Sequence, residues 1–210
     1  ISNSKKFVIS GPTFISKSIE NKNILNEKKF KILMFNSSYN SYSAVNGIDA
    51  HYKFLTLVEK ILENKNNVIY FKSKKNYQVY YSIENKVKIL AKKLFEKENF
   101  KVLDGFYPNN LIIEQSDLAI SMAFASPLIY SIYKKKYFIY CDLLNQYPNS
   151  FFKNYENICV DNIEKVIELI NSYYSNKADK KTHNKLYLDL FGNENLRDSK
   201  KIIKLGLNKI

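Results

Sequence analysis

Seven consecutive residues, Ser121-Met122-Ala123-Phe124-Ala125-Ser126-Pro127, bring together two hydroxyls, two alanines and a proline. Serine followed by proline at a helix start supplies an N-cap hydroxyl and a first helical position that needs no N–H. The free backbone N–H groups at such a helix head attract anions, phosphate above all. The predicted chemistry is a phosphate seat. Ser121 and Ser126 offer hydroxyls, and Ala125 is small enough to let a ligand approach the backbone. The plain alternative is a strand-to-helix turn capped for stability alone.

Other residues could serve the same ligand. Lys72 and Lys74 lie where an apolar run ends, and lysines there reach a diphosphate as mobile point charges. A solvated loop in a lysine-rich chain is the competing reading. Ser38 belongs to the polar stretch SSYNSYSAVNG (37–47), whose hydroxyls and amides suit sugar or phosphate. Gly105-Phe106-Tyr107 could admit and stack a nucleobase, or be a turn whose aromatics join the core. Asp142 could bind a ribose hydroxyl or cap the next turn. His51 and His183 are the only histidines, and neither has a partner at metal-ligand spacing. His51 is the one candidate base, although a histidine in such a place is commonly a surface residue. The catalytic residue stays unassigned.

These residues need a scaffold, and the apolar pattern supplies one. The runs KILMFN (31–36), NVIYFK (67–72), KVLD (101–104), LAIS (118–121), YFIYC (137–141) and NICV (157–160) read as short strands buried on both faces. Helical periodicity separates them. Residues 49–64 place Phe54, Leu57, Val58, Ile61 and Leu62 on one face, and 84–98 do the same with Val87, Leu90, Ala91, Leu94 and Phe95. Shorter helices fit 109–115 and the residues after Pro127. A fifth, 162–174, opens on an Asp161 or Asn162 cap and turns Val166, Ile167 and Ile170 inward. The predicted fold class is α/β, a Rossmann-like doubly wound parallel sheet of about six strands. Ligands in such sheets bind beyond the carboxyl ends of the strands. That rule selects the loops at 37–47, 73–76, 105–107, 122–126 and 142–147. Three regions are expected: 1–30 as an N-terminal strand (7–10) and linker (16–29), 31–180 as the ligand-binding domain, and 181–210 as two C-terminal helical pieces, 185–191 and 196–207.

Composition narrows the function. The formal net charge is +13, but Arg197 is the single arginine among 33 basic side chains, leaving 32 lysines. Arginine is favoured for bidentate phosphate and base contacts, so no dedicated nucleic-acid binding is expected. Attraction to anionic lipid headgroups fits better. Cys141 and Cys159 sit in apolar runs with no CxxC pattern, which suits reduced thiols and gives no zinc site. No signal peptide is visible. The uncharged run 118–133 has sixteen residues, short of the roughly 20 a spanning helix needs, and carries Ser121, Ser126, Ser131 and Pro127. The expected location is cytoplasmic, with peripheral contact to the inner membrane face. The chain starts at Ile1 instead of Met, as a processed product or a piece of a longer chain would. No GxGxxG, P-loop, GxSxG or HExxH is present, which argues against dinucleotide enzymes, P-loop ATPases and serine hydrolases.

The order of a strand, a Gly-aromatic turn, a short helix, SDLAIS (116–121), a small-residue turn, a helix and KKKYFIYCD (134–142) resembles the C-terminal, donor-binding domain of GT-B glycosyltransferases. The bacterial surface-polysaccharide enzymes, Kdo-transferase-like and CDP-glycerol polyolphosphotransferase-like, are the most similar in pattern. The closing LYLDLFGNENLRDSKKIIKLG (186–206) also resembles their tail. Where polyolphosphotransferases carry Asp-Tyr-Ser-Ser, this chain has the segment from Ser121 to Ser126. The resemblance implies a GT-B half whose donor is a nucleotide sugar, bound as substrate with no metal and no cofactor. It implies donor phosphates at Ser121, Ala125, Ser126, Lys72, Lys74 and Ser38, and base and ribose at Gly105, Phe106, Tyr107 and Asp142. The implied partner is a glycan or lipid-linked acceptor for capsule, O-antigen or lipopolysaccharide synthesis. GT-B enzymes carry the acceptor on an N-terminal domain, and one complete sheet is readable here. The alternatives are a CDP-polyol phosphotransferase on the same fold and a non-catalytic nucleotide-binding module.

Overall fold

Six apolar runs become six parallel strands in the computed structural model, which describes residues 23–37, 47–73, 77–83, 85–105, 107–122, 127–175, 177 and 180–191. The strands are β1 (Phe30–Phe35), β2 (Asn67–Lys72), β3 (Phe100–Leu103), β4 (Leu118–Met122), β5 (Tyr137–Cys141) and β6 (Cys159–Val160). Their order across the sheet is β3-β2-β1-β4-β5-β6, every neighbouring pair parallel. The helices are α1 (Ile48–Ile61), α2 (Asn85–Phe95), α3 (Asn109–Gln115), α4 (Pro127–Tyr133), α5 (Ile163–Tyr174) and α6 (Lys181–Phe191). This is the Rossmann-like arrangement that strand-helix alternation predicts. The pieces expected at 7–10 and 196–207 lie outside the described residues.

Both faces of the sheet are covered, which is why its strands are apolar without alternation. Ile32, Met34, Ile69, Phe71, Ile120 and Ile139 point to the side of α1, α2 and α5. Their neighbours Leu33, Phe35, Val68 and Tyr70 point to the opposite side, as a period of two requires. There Ala119, Phe138 and Tyr140 meet α4 and α6 through Leu128, Ile132, Leu186 and Tyr187.

Three details depart from the sequence reading. Phe95, expected inward, is 59 % exposed, because α2 ends there and its ring stacks on Tyr77 with centroids 6.2 Å apart. A 3-10 turn, Tyr77–Ser82, precedes α2 and drives Tyr77 and Tyr80 into the core, where Phe71 packs edge-on against both. The stretch expected as linker carries the apolar pair Ile24-Leu25, and Leu25 is buried beside Leu33 and Ile113. Gln115 Oε1 accepts from both Ile24 N and Leu25 N, at 2.8 and 3.0 Å, and holds the pair in place.

Candidate functional site

In a doubly wound sheet the ligand crevice opens where successive crossovers leave in opposite directions. Here that point lies between β1 and β4. Four segments meet at it: the residues following β1 and β2, the end of β4, and the head of α1. Asn36 and Ser37 follow β1, and Ser37 Oγ reaches Met122 Sδ across the crevice at 3.6 Å. Gly47 is the N-cap of α1, extended at φ −79°, with no side chain to cap the helix. The first-turn N–H groups of this fourteen-residue helix therefore open toward the same rim.

Beneath the rim is a buried polar cluster. The Tyr80 hydroxyl receives Asn36 Nδ2, stands 3.1 Å from His51 Nδ1 and is also hydrogen-bonded by the Ser73 side chain. Exposure is 7 % for Asn36, 1 % for His51, 5 % for Ser73 and 0 % for Tyr80. Burial pushes the Tyr80 phenol far above its ordinary range, against the pull of the Asn36 and Ser73 bonds. Burial also lowers His51 to about 4, so the imidazole is neutral at pH 7. His51 is thus neither the surface residue expected nor a base presented to solvent. It packs edge-on to Tyr80, with ring centroids 5.5 Å apart, and braces the first turn of α1.

The sequence-selected residues separate into groups. Ser38, Lys74, Phe106, Ala125 and Ser126 lie outside the described residues. Ser121 ends up at the crevice, but its side chain is fully buried and Oγ donates to Met122 O at 2.9 Å. Lys72 is 9 % exposed and not part of a solvated loop. Its ammonium donates to Tyr107 O and to Asn109 Oδ1, tying β2 to the start of α3. Burial lowers its pKa, with Asp104 opposing. Gly105 is exposed, and a Cβ built on it would meet nothing within 4 Å. Tyr107 is 40 % exposed and so does not belong to the core. Asp142 takes the capping role: its carboxylate accepts Gln146 N at 2.8 Å and Tyr147 N at 3.0 Å, with Lys153 Nζ at 3.5 Å.

Residues 2–170 match the family described as polysaccharide biosynthesis PFTS motif protein. The chain belongs to this family. None of the curated proteins matches it. The stretch shared with the PFTS motif family contains all six strands and ends within α5, so the whole carboxyl rim lies inside it. α6 lies beyond that stretch. A role in polysaccharide biosynthesis follows from membership. No helix among the described residues is long and apolar enough to cross a membrane.

Sequence reasoning missed Asn36 and Tyr80, and reached Ser73 only as part of the 73–76 loop. A signal for Asn36 and Ser73 was present. Phe35 pairs with Lys72, so the polar residues one step beyond each strand, Asn36 and Ser73, fall side by side. Tyr80 had no such signal, because the 3-10 turn that delivers it shows neither helical nor strand periodicity.

Proposed function

We propose that this PFTS motif family member is a glycosyltransferase that takes a nucleotide-sugar donor in the crevice between the carboxyl ends of β1 and β4. The observation that carries the reading is the reversal of strand order at that point, in a chain of a polysaccharide-biosynthesis family. The donor diphosphate sits against the N–H groups of the α1 head, where backbone dipoles offset its charge. The Asn36–His51–Tyr80–Ser73 cluster fixes the floor under the phosphates. It is a positioning device, since its four side chains are buried. The sugar projects outward to an acceptor glycan or lipid.

Titration of the labelled protein with UDP-, GDP- and CMP-linked sugars tests this directly. At least one is expected to move the backbone amide resonances of Asn36, Ser37, Asp49, Ala50 and Met122. If none moves them, the donor-site reading fails. Stronger binding of CDP-glycerol than of every nucleotide sugar would assign the crevice to polyol-phosphate transfer instead.

A further inference from the structure

The opposite rim of the sheet holds an open cavity of about 470 Å³. It lies where β1, β4 and β5 begin, so the parallel sheet brings together segments distant in sequence. Its volume is within the roughly 300–1,000 Å³ of small-ligand sites. Five lysines line it: Lys28, Lys29, Lys135, Lys136 and Lys180. Among the described lining residues the acidic one is Asp117. Its Oδ2 is engaged by Lys31 N at 2.8 Å, which fixes the start of β1 against β4.

Local structure explains how the lysines arrive. α4 ends in a Schellman arrangement: Lys136 N donates to Ser131 O at 2.9 Å and Lys135 N to Ile132 O at 3.0 Å. Lys135 takes the left-handed position, φ 51°. That turn delivers Lys135 and Lys136 to the cavity. Lys136 is anchored by Glu114 O and Ser116 O, at 2.8 and 3.1 Å, and serves as a fixed charge in the wall. Lys28, Lys29 and Lys180 are exposed. Aromatic rings complete the lining. Tyr137 packs on Tyr173 with centroids 4.4 Å apart, and Lys180 Nζ lies 5.2 Å over the Tyr137 ring. Tyr174, half exposed, meets Phe30 edge-on at 5.5 Å.

We infer that this cavity binds an anionic saccharide unit, a sugar bearing a carboxylate or a phosphate. Lysines supply the charge, and the rings supply apolar faces for the C–H faces of a pyranose. A lipid surface fits less well, because the lysines surround a hollow. Nucleic acid fits less well because none of the described lining residues is an arginine able to make bidentate phosphate contacts. The site is independent of the donor crevice, which lies at the other end of the strands, so either reading can fail alone.

Calorimetric titration of the whole chain with trigalacturonate, galactose 1-phosphate, neutral galactotriose and inorganic phosphate, at low salt, tests the inference. Saturable binding is expected for trigalacturonate or galactose 1-phosphate; which of the two binds tells carboxylate from phosphate. Galactotriose and inorganic phosphate are expected to bind at least about tenfold more weakly, since each lacks one half of the recognition. Combined Lys28→Gln, Lys29→Gln and Lys180→Gln should weaken the saccharide about tenfold or more, and Lys→Arg at the same positions should restore it. Tyr174→Ala should weaken it severalfold. The inference is overturned if neither anionic saccharide binds, if inorganic phosphate binds equally well, or if Tyr174→Ala or the triple Gln variant leaves affinity unchanged.

Discussion

The two rims of the sheet solve different problems with different residues. At the carboxyl rim a cluster of described polar groups is buried and hydrogen-bonded: Asn36, His51, Ser73 and Tyr80 converge, and Lys72 and Asp142 are tied to loops. At the amino rim four lysines, Lys28, Lys29, Lys135 and Lys180, and Tyr174 stand exposed around a hollow. Geometry marks one rim and electrostatics the other. Folding stability should accordingly reside in the carboxyl rim, and lysine-dependent binding in the amino rim.

The hardest blow to this contrast would come from Tyr80. Tyr80→Ala empties a fully buried site and removes the oxygen shared by Asn36, His51 and Ser73, so a loss of about 3–5 kcal/mol in urea unfolding is expected. Tyr174→Ala on the other rim should cost under about 1 kcal/mol. Equal losses would erase the distinction.

Acid titration sharpens it further. Burial holds folded His51 at about 4, below its ordinary 6.5. The unfolded chain then takes up the proton first as pH falls. Stability from this group is complete above pH 6.5 and drains between 6.5 and about 4, by on the order of 3 kcal/mol. Subtracting the pH profile of His51→Gln isolates the effect, and superimposable profiles would refute it.

Asp142→Ala leaves two loop N–H groups without their acceptor and should cost about 2 kcal/mol, read from the thermal midpoint. Lys135→Gly relieves a left-handed lysine and should stabilise by up to about 1 kcal/mol, whereas a loss would mean the Lys135 side chain carries more weight than its backbone. The smallest effect belongs to Lys28→Gln, Lys29→Gln and Lys180→Gln together, within about 0.5 kcal/mol by urea unfolding.

The scaffold was largely legible because its signals are local. β2, β5 and α3 match their expected limits residue for residue, since apolar runs bounded by polar residues leave little room for another reading. β6 shrank from four residues to two. The candidate site was less legible, because its chemistry depends on which strands are neighbours. Lys72 looks like a free cation until Tyr107 and Asn109 arrive from another loop. His51 looks like a surface residue until the 3-10 turn lays Tyr80 over it. The amino-rim cavity was out of reach for the same reason: Lys28, Lys136 and Lys180 share nothing in sequence beyond their charge.

β6 contributes only Cys159–Val160 to the ladder, just after Asn157 swings the chain through φ 63°. So brief a border gives another molecule almost no backbone to zip onto. A chain this rich in aromatic and apolar side chains can thereby stay dispersed at that margin when crowded. Extending the border by a few β-branched residues would invite molecules to add on end to end.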